Sequence, residues 1–195
     1  LVDDPDRAGL GGHEAEITVL FADLAGFTAF SEARDPAEVV AMLNGYWERA
    51  VPAVIGAPEG MIERFAGDAV LAVFNALGDQ PDHPLRAVRA ALGMRDAVRD
   101  VADAHPGWPR FRIGVNTGRA VIGNVGTDRQ HSFTVIGDAV NVAARVQAAA
   151  SPGEVVLSGA TYDRVADRVV AEPLGPVAVK GREQPVPMHR ALRLT

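Results

Sequence analysis

A strand, a helix, a β-hairpin, a second helix and a further strand, in that order, predict an α+β fold: the ferredoxin-like, split βαβ arrangement, with helices packed on an antiparallel sheet. Three observations carry the prediction. Ile17-Thr18-Val19-Leu20-Phe21-Ala22 is apolar and rich in strand formers over the length of an interior strand. Met61 to Ala66 and Ala69 to Phe74 are two strand-like runs separated only by Gly67-Asp68, a strong short-range hairpin signal. Between and after them, apolar residues recur at helical spacing.

The elements follow in order. Asp3 to Gly12 is polar and glycine-rich, so residues 1–14 read as a linker or lead-in and residues 15–195 as one domain. The start on Leu1 rather than Met is expected of an excised piece of a longer chain. After the first strand, Phe27 to Ser31 suits a short helix. A longer helix opens at Asp35-Pro36, an N-cap followed by a proline at the first helical position, with Val39, Val40, Leu43, Tyr46 and Trp47 as its apolar stripe. Pro52 is expected to end or bend it. The hairpin comes next, then a loop from Gly78 to His83 and a helix from Pro84 with Leu85, Val88, Leu92, Arg95 and Val98 on one face. Phe111 to Asn116 is a strand that Gly118 to Val125 continues into another strand or a turn, and Val177-Ala178-Val179 is a short strand.

Composition narrows the function classes. A net charge of −6 argues against a general nucleic-acid or anionic-membrane surface. The absence of cysteine excludes disulfides, thiolate metal sites and cysteine nucleophiles, and is compatible with a reducing compartment. No apolar run approaches the roughly 20 residues that span a bilayer. The expected location is cytoplasmic, with a parent chain free to carry a membrane anchor.

Two carboxylates stand out. Asp23 ends the first strand, and a buried charge there asks for a cation or a basic partner. Asp68 sits at the hairpin tip. If the hairpin lies beside the first strand, the two converge and can share a hard cation such as Mg²⁺, completed by water and substrate phosphates. Each alone also fits a plainer role, Asp68 as a turn residue and Asp23 as a strand-end cap. In Val135 to Arg145, Val140, Ala143, Ala144 and Gln147 keep helical periodicity, and Asn141 and Arg145, four apart, share a face. That pair suits ribose and phosphate oxygens, or else simply faces solvent. Lys180 alone reads as one more solvated lysine.

Five ordered motifs nonetheless resemble one family over about Ala15 to Leu192. They are Phe21-Ala22-Asp23-Leu24-Ala25-Gly26-Phe27-Thr28, Phe65-Ala66-Gly67-Asp68-Ala69-Val70, Arg112-Ile113-Gly114-Val115-Asn116-Thr117-Gly118, Gly137-Asp138-Ala139-Val140-Asn141-Val142-Ala143-Ala144-Arg145 and Val179-Lys180-Gly181. The chain resembles the bacterial type of class III nucleotidyl cyclase (adenylate and guanylate cyclase) catalytic domain. The resemblance implies that Asp23, Asp68 and the carbonyl of Leu24 hold two divalent ions, Mg²⁺ or Mn²⁺. It implies that amides around Phe27 and Thr28 cradle phosphate. It implies that Asn141 and Arg145 are the pair that orients the ribose and stabilises charge building on the α-phosphate, and that Lys180 grips the terminal phosphates. It also implies a homodimer whose two centres each combine the aspartates of one copy with the Asn, Arg and Lys of the other.

The base-reading positions depart from the best-understood pattern. Arg64 stands where adenylate cyclases often have lysine, and Thr134 where they often have aspartate; the Thr134 hydroxyl could accept from an adenine amino group. Guanylate cyclases of the family place glutamate at the first position. Glu63 is one residue early and, on a regular strand, should face away from Arg64. The expectation is therefore an adenylate cyclase, a phosphorus-oxygen lyase acting on ATP, with a regulatory segment on the parent chain and no nucleic-acid partner. The alternatives are a guanylate or dual-specificity cyclase, and a catalytically silent nucleotide-binding or dimerisation module. None of the five histidines falls in a motif, so no side chain stands out as a general base.

Overall fold

A computed structural model describes residues 11–127, 130–177 and 185–195. The first strand, β1 (Gly11–Leu24), is followed by α1 (Phe27–Glu32), α2 (Pro36–Ile55), the hairpin β2 (Met61–Ala66) and β3 (Ala69–Phe74), and α3 (His83–Ala104). Then come β4 (Phe111–Thr127), β5 (Gln130–Ile136), α4 (Asp138–Ala148), β6 (Val155–Ser158), α5 (Gly159–Tyr162), β7 (Val169–Val177) and β8 (Val186–Leu194). One eight-stranded sheet has the order β2-β3-β1-β4-β6-β8-β7, with β5 pairing β4 off this path. The β4–β6 pair is parallel and the others are antiparallel. The predicted α+β sheet with packed helices is what forms, extended by four strands, β5 to β8, that the sequence patterns had not marked out; of the expected short strand Val177-Ala178-Val179, Val177 ends β7 and the other two lie outside the described residues.

Alternation along β1 divides the interior into two layers. Leu20, Ala22 and Leu24 join a cluster with Met42 and Tyr46 of α2 and Val88, Leu92 and Met94 of α3. Ile17 and Val19 point to the opposite face, where Ala139 and Ala143 of α4 cover them. The helices therefore lie on both faces, and α4 owns the face that odd-numbered residues of β1 look onto.

Several local expectations are corrected. β1 begins at Gly11, and Gly11 to Glu14 pair with Val121 to Asn124, so the end of the expected lead-in is already sheet. α2 opens as predicted, Asp35 Oδ1 accepting from the Ala37 N–H at 2.8 Å. It runs through Pro52 to Ile55, because the last turn is closed by the Gly56 N–H donating to the Pro52 carbonyl and anchored by buried Val54. Val40 faces solvent, and Met42, Ala50 and Val54 complete the buried stripe instead. The two segments expected around Asn116 and Gly118 form one continuous β4. Val140 and Ala144 are only partly covered, and α4 buries Ala139, Val142, Ala143, Val146 and Gln147.

One polar thread crosses the core: the Thr18 hydroxyl lies 2.8 Å from His83 Nδ1 and 2.8 Å from the Thr117 hydroxyl, which lies 3.1 Å from that of Thr161. Buried polar atoms are thereby satisfied by one another. Among the described residues, no helix is long and apolar enough to cross a membrane.

Candidate active site

The same alternation that buries Ile17 and Val19 turns Asp23 onto the α4 face of β1. Antiparallel register sets Arg112 of β4 directly opposite it. Arg112 donates to both carboxylate oxygens, Nε to Oδ1 at 3.1 Å and Nη2 to Oδ2 at 3.0 Å, the bidentate geometry that favours arginine. Gln147 of α4 adds a third bond, Nε2 to Oδ1 at 2.7 Å. Gly114 allows this approach: a Cβ there would lie 2.6 Å from Gln147 Cα and 2.7 Å from the Ala143 carbonyl oxygen. Asp23 is thus partnered within the chain, as a half-buried carboxylate requires.

Asp68 arrives from the neighbouring hairpin. Its tight turn uses Gly67 at φ +64°, a left-handed conformation that glycine adopts without strain. The register continuing from Ala22 opposite Val70 brings Asp68 to Leu24, whose N–H donates to Asp68 Oδ2 at 3.3 Å. Burial pushes the Asp68 carboxyl above its usual range and the Asp23 charge adds to this, while the Asp68 and Leu24 amides and Arg112 oppose it. The predicted convergence of Asp23, Leu24 and Asp68 therefore forms.

These donors fit a hard divalent cation. Among the described residues, no third acidic or histidine side chain completes a ligand cluster. Two carboxylates with oxygen donors only suit an ion that keeps waters and takes further ligands from phosphate. A bound cation would also relieve the charge that burial and Asp23 make unfavourable on Asp68. Beside them, Gly26 at φ +73° turns the chain into α1, whose first turn, with the Phe27 and Thr28 amides, has no side-chain cap.

The residues expected to read the base meet where β5 approaches the hairpin. Phe133 and Val135 of β5 pack with Met61, Leu71 and Val73, which brings β5 against the β2–β3 hairpin. There the Thr134 hydroxyl donates to Glu63 Oε1 at 2.8 Å. Glu63 Oε2 lies 2.6 Å from Arg64 Nε, an ion pair without hydrogen-bond alignment. This overturns the expectation that Glu63 and Arg64 face opposite sides. The pairing slips between Ile62 and Arg64, leaving Glu63 in a β-bulge. Arg64 stands opposite Leu71 of the α4 face, and Phe65, now on the other face, packs its ring against Trp47.

Asn141 is exposed and Arg145 half-buried, both away from the buried side of α4. They make no hydrogen bond or ion pair among the described residues, and the structure does not bring them to Asp23 or Asp68. Lys180 lies outside the described residues. A cavity of about 530 Å³ lined by Gly60, Met61, Asn75 and Gln80 sits at the opposite end of the hairpin from Asp68 and takes no part in this constellation.

Three residues of the site carried no role in the sequence reading: Arg112, Gln147 and Glu63. Arg112 was within reach, since pairing β4 with β1 and matching side-chain faces puts a cation opposite Asp23. Gln147 stood on the predicted inner face of its helix. Glu63 depends on a bulge that leaves no mark on the pattern.

Comparison with known proteins converges on one family. The adenylate and guanylate cyclase catalytic domain matches residues 12–189. Adenylate cyclase 1 of Rhizobium meliloti (strain 1021) is 36% identical over 191 residues, covering 93% of this chain and 29% of that protein. The solved guanylyl cyclase Cya2 superposes with a TM-score of 0.89 at 33% identity, covering 95% of this chain and 96% of that one. The adenylyl cyclase CyaB from P. aeruginosa gives 0.87 at 29% identity, covering 94% and 97%. The chain spans less than half the length of the curated relatives it matches, 29% and 40% in two cases.

Proposed function

The chain belongs to the family of adenylate and guanylate cyclase catalytic domains, and from that premise we propose that it converts ATP to 3′,5′-cyclic AMP and pyrophosphate at centres shared between two copies. The observation that carries this reading is the division of labour on α4. Its inner face is bonded to Asp23 through Gln147, while its outer side offers Asn141 and Arg145 with no partner of their own among the described residues. Groups so disposed suit a second copy's nucleotide.

In the reaction the ribose 3′-oxygen attacks the α-phosphorus, the bond to the β-phosphate oxygen breaks, and pyrophosphate leaves. Positioning and charge neutralisation dominate such a transfer. Asn141 orients the ribose. Arg145 neutralises charge that builds on the α-phosphate, and Lys180 holds the terminal phosphates. The Phe27 and Thr28 amides offer donors to phosphate oxygens, and Arg64 and Thr134 face the adenine. Asp23, Asp68 and the Leu24 carbonyl would hold two divalent ions, Mg²⁺ or Mn²⁺, which supply charge stabilisation at the attacking and leaving oxygens. The 3′-hydroxyl proton passes to substrate or water, since no histidine is placed to take it. A larger parent with a regulatory segment, working in the cytoplasm, suits the relatives' greater length.

The test is direct. Purified dimer is supplied with ATP or GTP and Mg²⁺ or Mn²⁺, and cyclic product is measured. Cyclic AMP from ATP, in excess over cyclic GMP from GTP, is expected. Product from GTP alone would assign a guanylate cyclase instead, and no product from a demonstrably dimeric sample would leave a nucleotide-binding module.

A further inference from the structure

We propose that Glu63 sets the base preference without touching the base, by fixing the polarity of Thr134. The inference rests on the reading that Thr134 faces the purine. A threonine hydroxyl has one proton and two acceptor lone pairs. Here the proton is committed: Oγ1 donates to Glu63 Oε1 at 2.8 Å. Toward a ligand, Oγ1 is then an acceptor only. At its 6-position adenine presents an amino donor and guanine a carbonyl acceptor. The oriented hydroxyl bonds the first and opposes the second.

The surroundings of Glu63 hold it to this indirect role. Its side chain is only 4% exposed. One oxygen is taken by Thr134, and the other is buried against the Arg64 guanidinium, so neither is open to a purine. The bulge matters because it alone lets Glu63 and Arg64 reach the same side. With regular pairing continued from Ile62, Arg64 would turn to the opposite face and leave Glu63 Oε2 without its guanidinium; without the Glu63 carboxylate, the Thr134 hydroxyl would be free to rotate, serving as donor or acceptor and accepting either base. Glu63 is a positioning residue, and discrimination, not turnover, is what it controls.

The experiment compares wild type with Glu63→Gln, Thr134→Val, the double variant and Thr134→Ser, using the dimeric protein. For each, kcat/KM and the dissociation constant are measured for ATP and for GTP. Two substrates in one preparation cancel any difference in folded fraction. Glu63→Gln places an amide that can donate to Oγ1, freeing the hydroxyl proton for a guanine carbonyl. The ATP-to-GTP ratio should fall about tenfold, the worth of one hydrogen bond. Thr134→Val should lower it similarly, the double variant should match Thr134→Val alone, and Thr134→Ser should keep the wild-type ratio. An unchanged ratio in Glu63→Gln, additive effects in the double variant, or selective loss of GTP use would each overturn the inference. If wild type forms no cyclic product, the proposed reaction fails, while the ratio of dissociation constants still decides the role of Glu63.

Discussion

Gln147 reaches from the last turn of α4 to the end of β1, its Nε2 donating to Asp23 Oδ1 at 2.7 Å. The contact fixes which way the rest of α4 faces. At about 100° per residue, Arg145 lies about 160° around the helix from Gln147 and Asn141 about 120° from it in the same sense. A helix whose inner face is tied to its own chain's carboxylate cannot turn Arg145 onto the same carboxylate. The seam between α4 and the paired strands β1 and β4 is thus where the arrangement can be tested.

Gly114→Ala should strain that seam. The new Cβ would press on the Gln147 backbone and the Ala143 carbonyl, backbone atoms that cannot rotate away. α4 must then lift from the sheet, at a cost of about 2–3 kcal/mol by analogy with overpacked cores. Denaturant titration should show a lower midpoint with an unchanged slope, and turnover should fall because Asn141 and Arg145 move with the helix.

Arg112 and a divalent cation should compete for Asp23. In the metal-free protein, Arg112→Met removes both charge-assisted bonds to a carboxylate that is about a quarter exposed. A loss of about 1–2 kcal/mol is expected. Added Mg²⁺ or Mn²⁺ should then raise the melting temperature of the variant more than that of wild type, since the ion supplies the missing charge. Equal shifts in the two proteins would mean that Arg112 and the ion do not share Asp23.

The first half of the fold was legible because its elements carry unambiguous periods. β1 and the hairpin alternate or run apolar over strand lengths, and Asp35-Pro36 announces α2. The last strands were not. β6 is four residues, all buried, too short to show a period. β7 contains Pro173, Gly175 and Pro176 and has two register shifts, signals that count against a strand unless it lies, as here, at a sheet edge. In the site, Asp23 and Asp68 were readable because each stands beside a strand end and a glycine. Their partners were not: Arg112 is 89 positions from Asp23 and Gln147 is 124, so only the tertiary register joins them. Glu63 was misread for a local reason, a one-residue bulge that puts it and Arg64 on one side of the strand.

His83 should make the fold sensitive to mild acid. Its ring is buried, and burial holds its pKa below the usual histidine range, against a smaller opposing pull from Glu16; Arg164 lowers it further and Asp82 raises it. As pH falls below about 6.5, the unfolded chain takes up a proton that the folded chain refuses. Stability is therefore full above that pH and declines as pH falls toward the folded-state value. Urea unfolding at about pH 7.5 and about pH 5.5 should show the loss, and His83→Gln, which stays neutral, should reduce the difference. A variant with the same difference as wild type would place the acid sensitivity on another group.

The shared-centre reading makes a prediction that a single-chain site cannot. Asp23→Ala removes a carboxylate from one half of each centre, and Asn141→Ala removes the ribose-orienting amide from the other half. Each homodimer then has two defective centres and should be nearly inactive. A mixed dimer has one centre with both defects and one with neither. With random pairing in an equal mixture, half of the dimers are mixed and half of their centres are intact, so about a quarter of wild-type turnover should return. Exchange is checked by carrying different affinity tags on the two variants and isolating the doubly tagged species. If that species forms and remains inactive, Asp23 and Asn141 serve the same chain's centre, and the outward face of α4 must have another use.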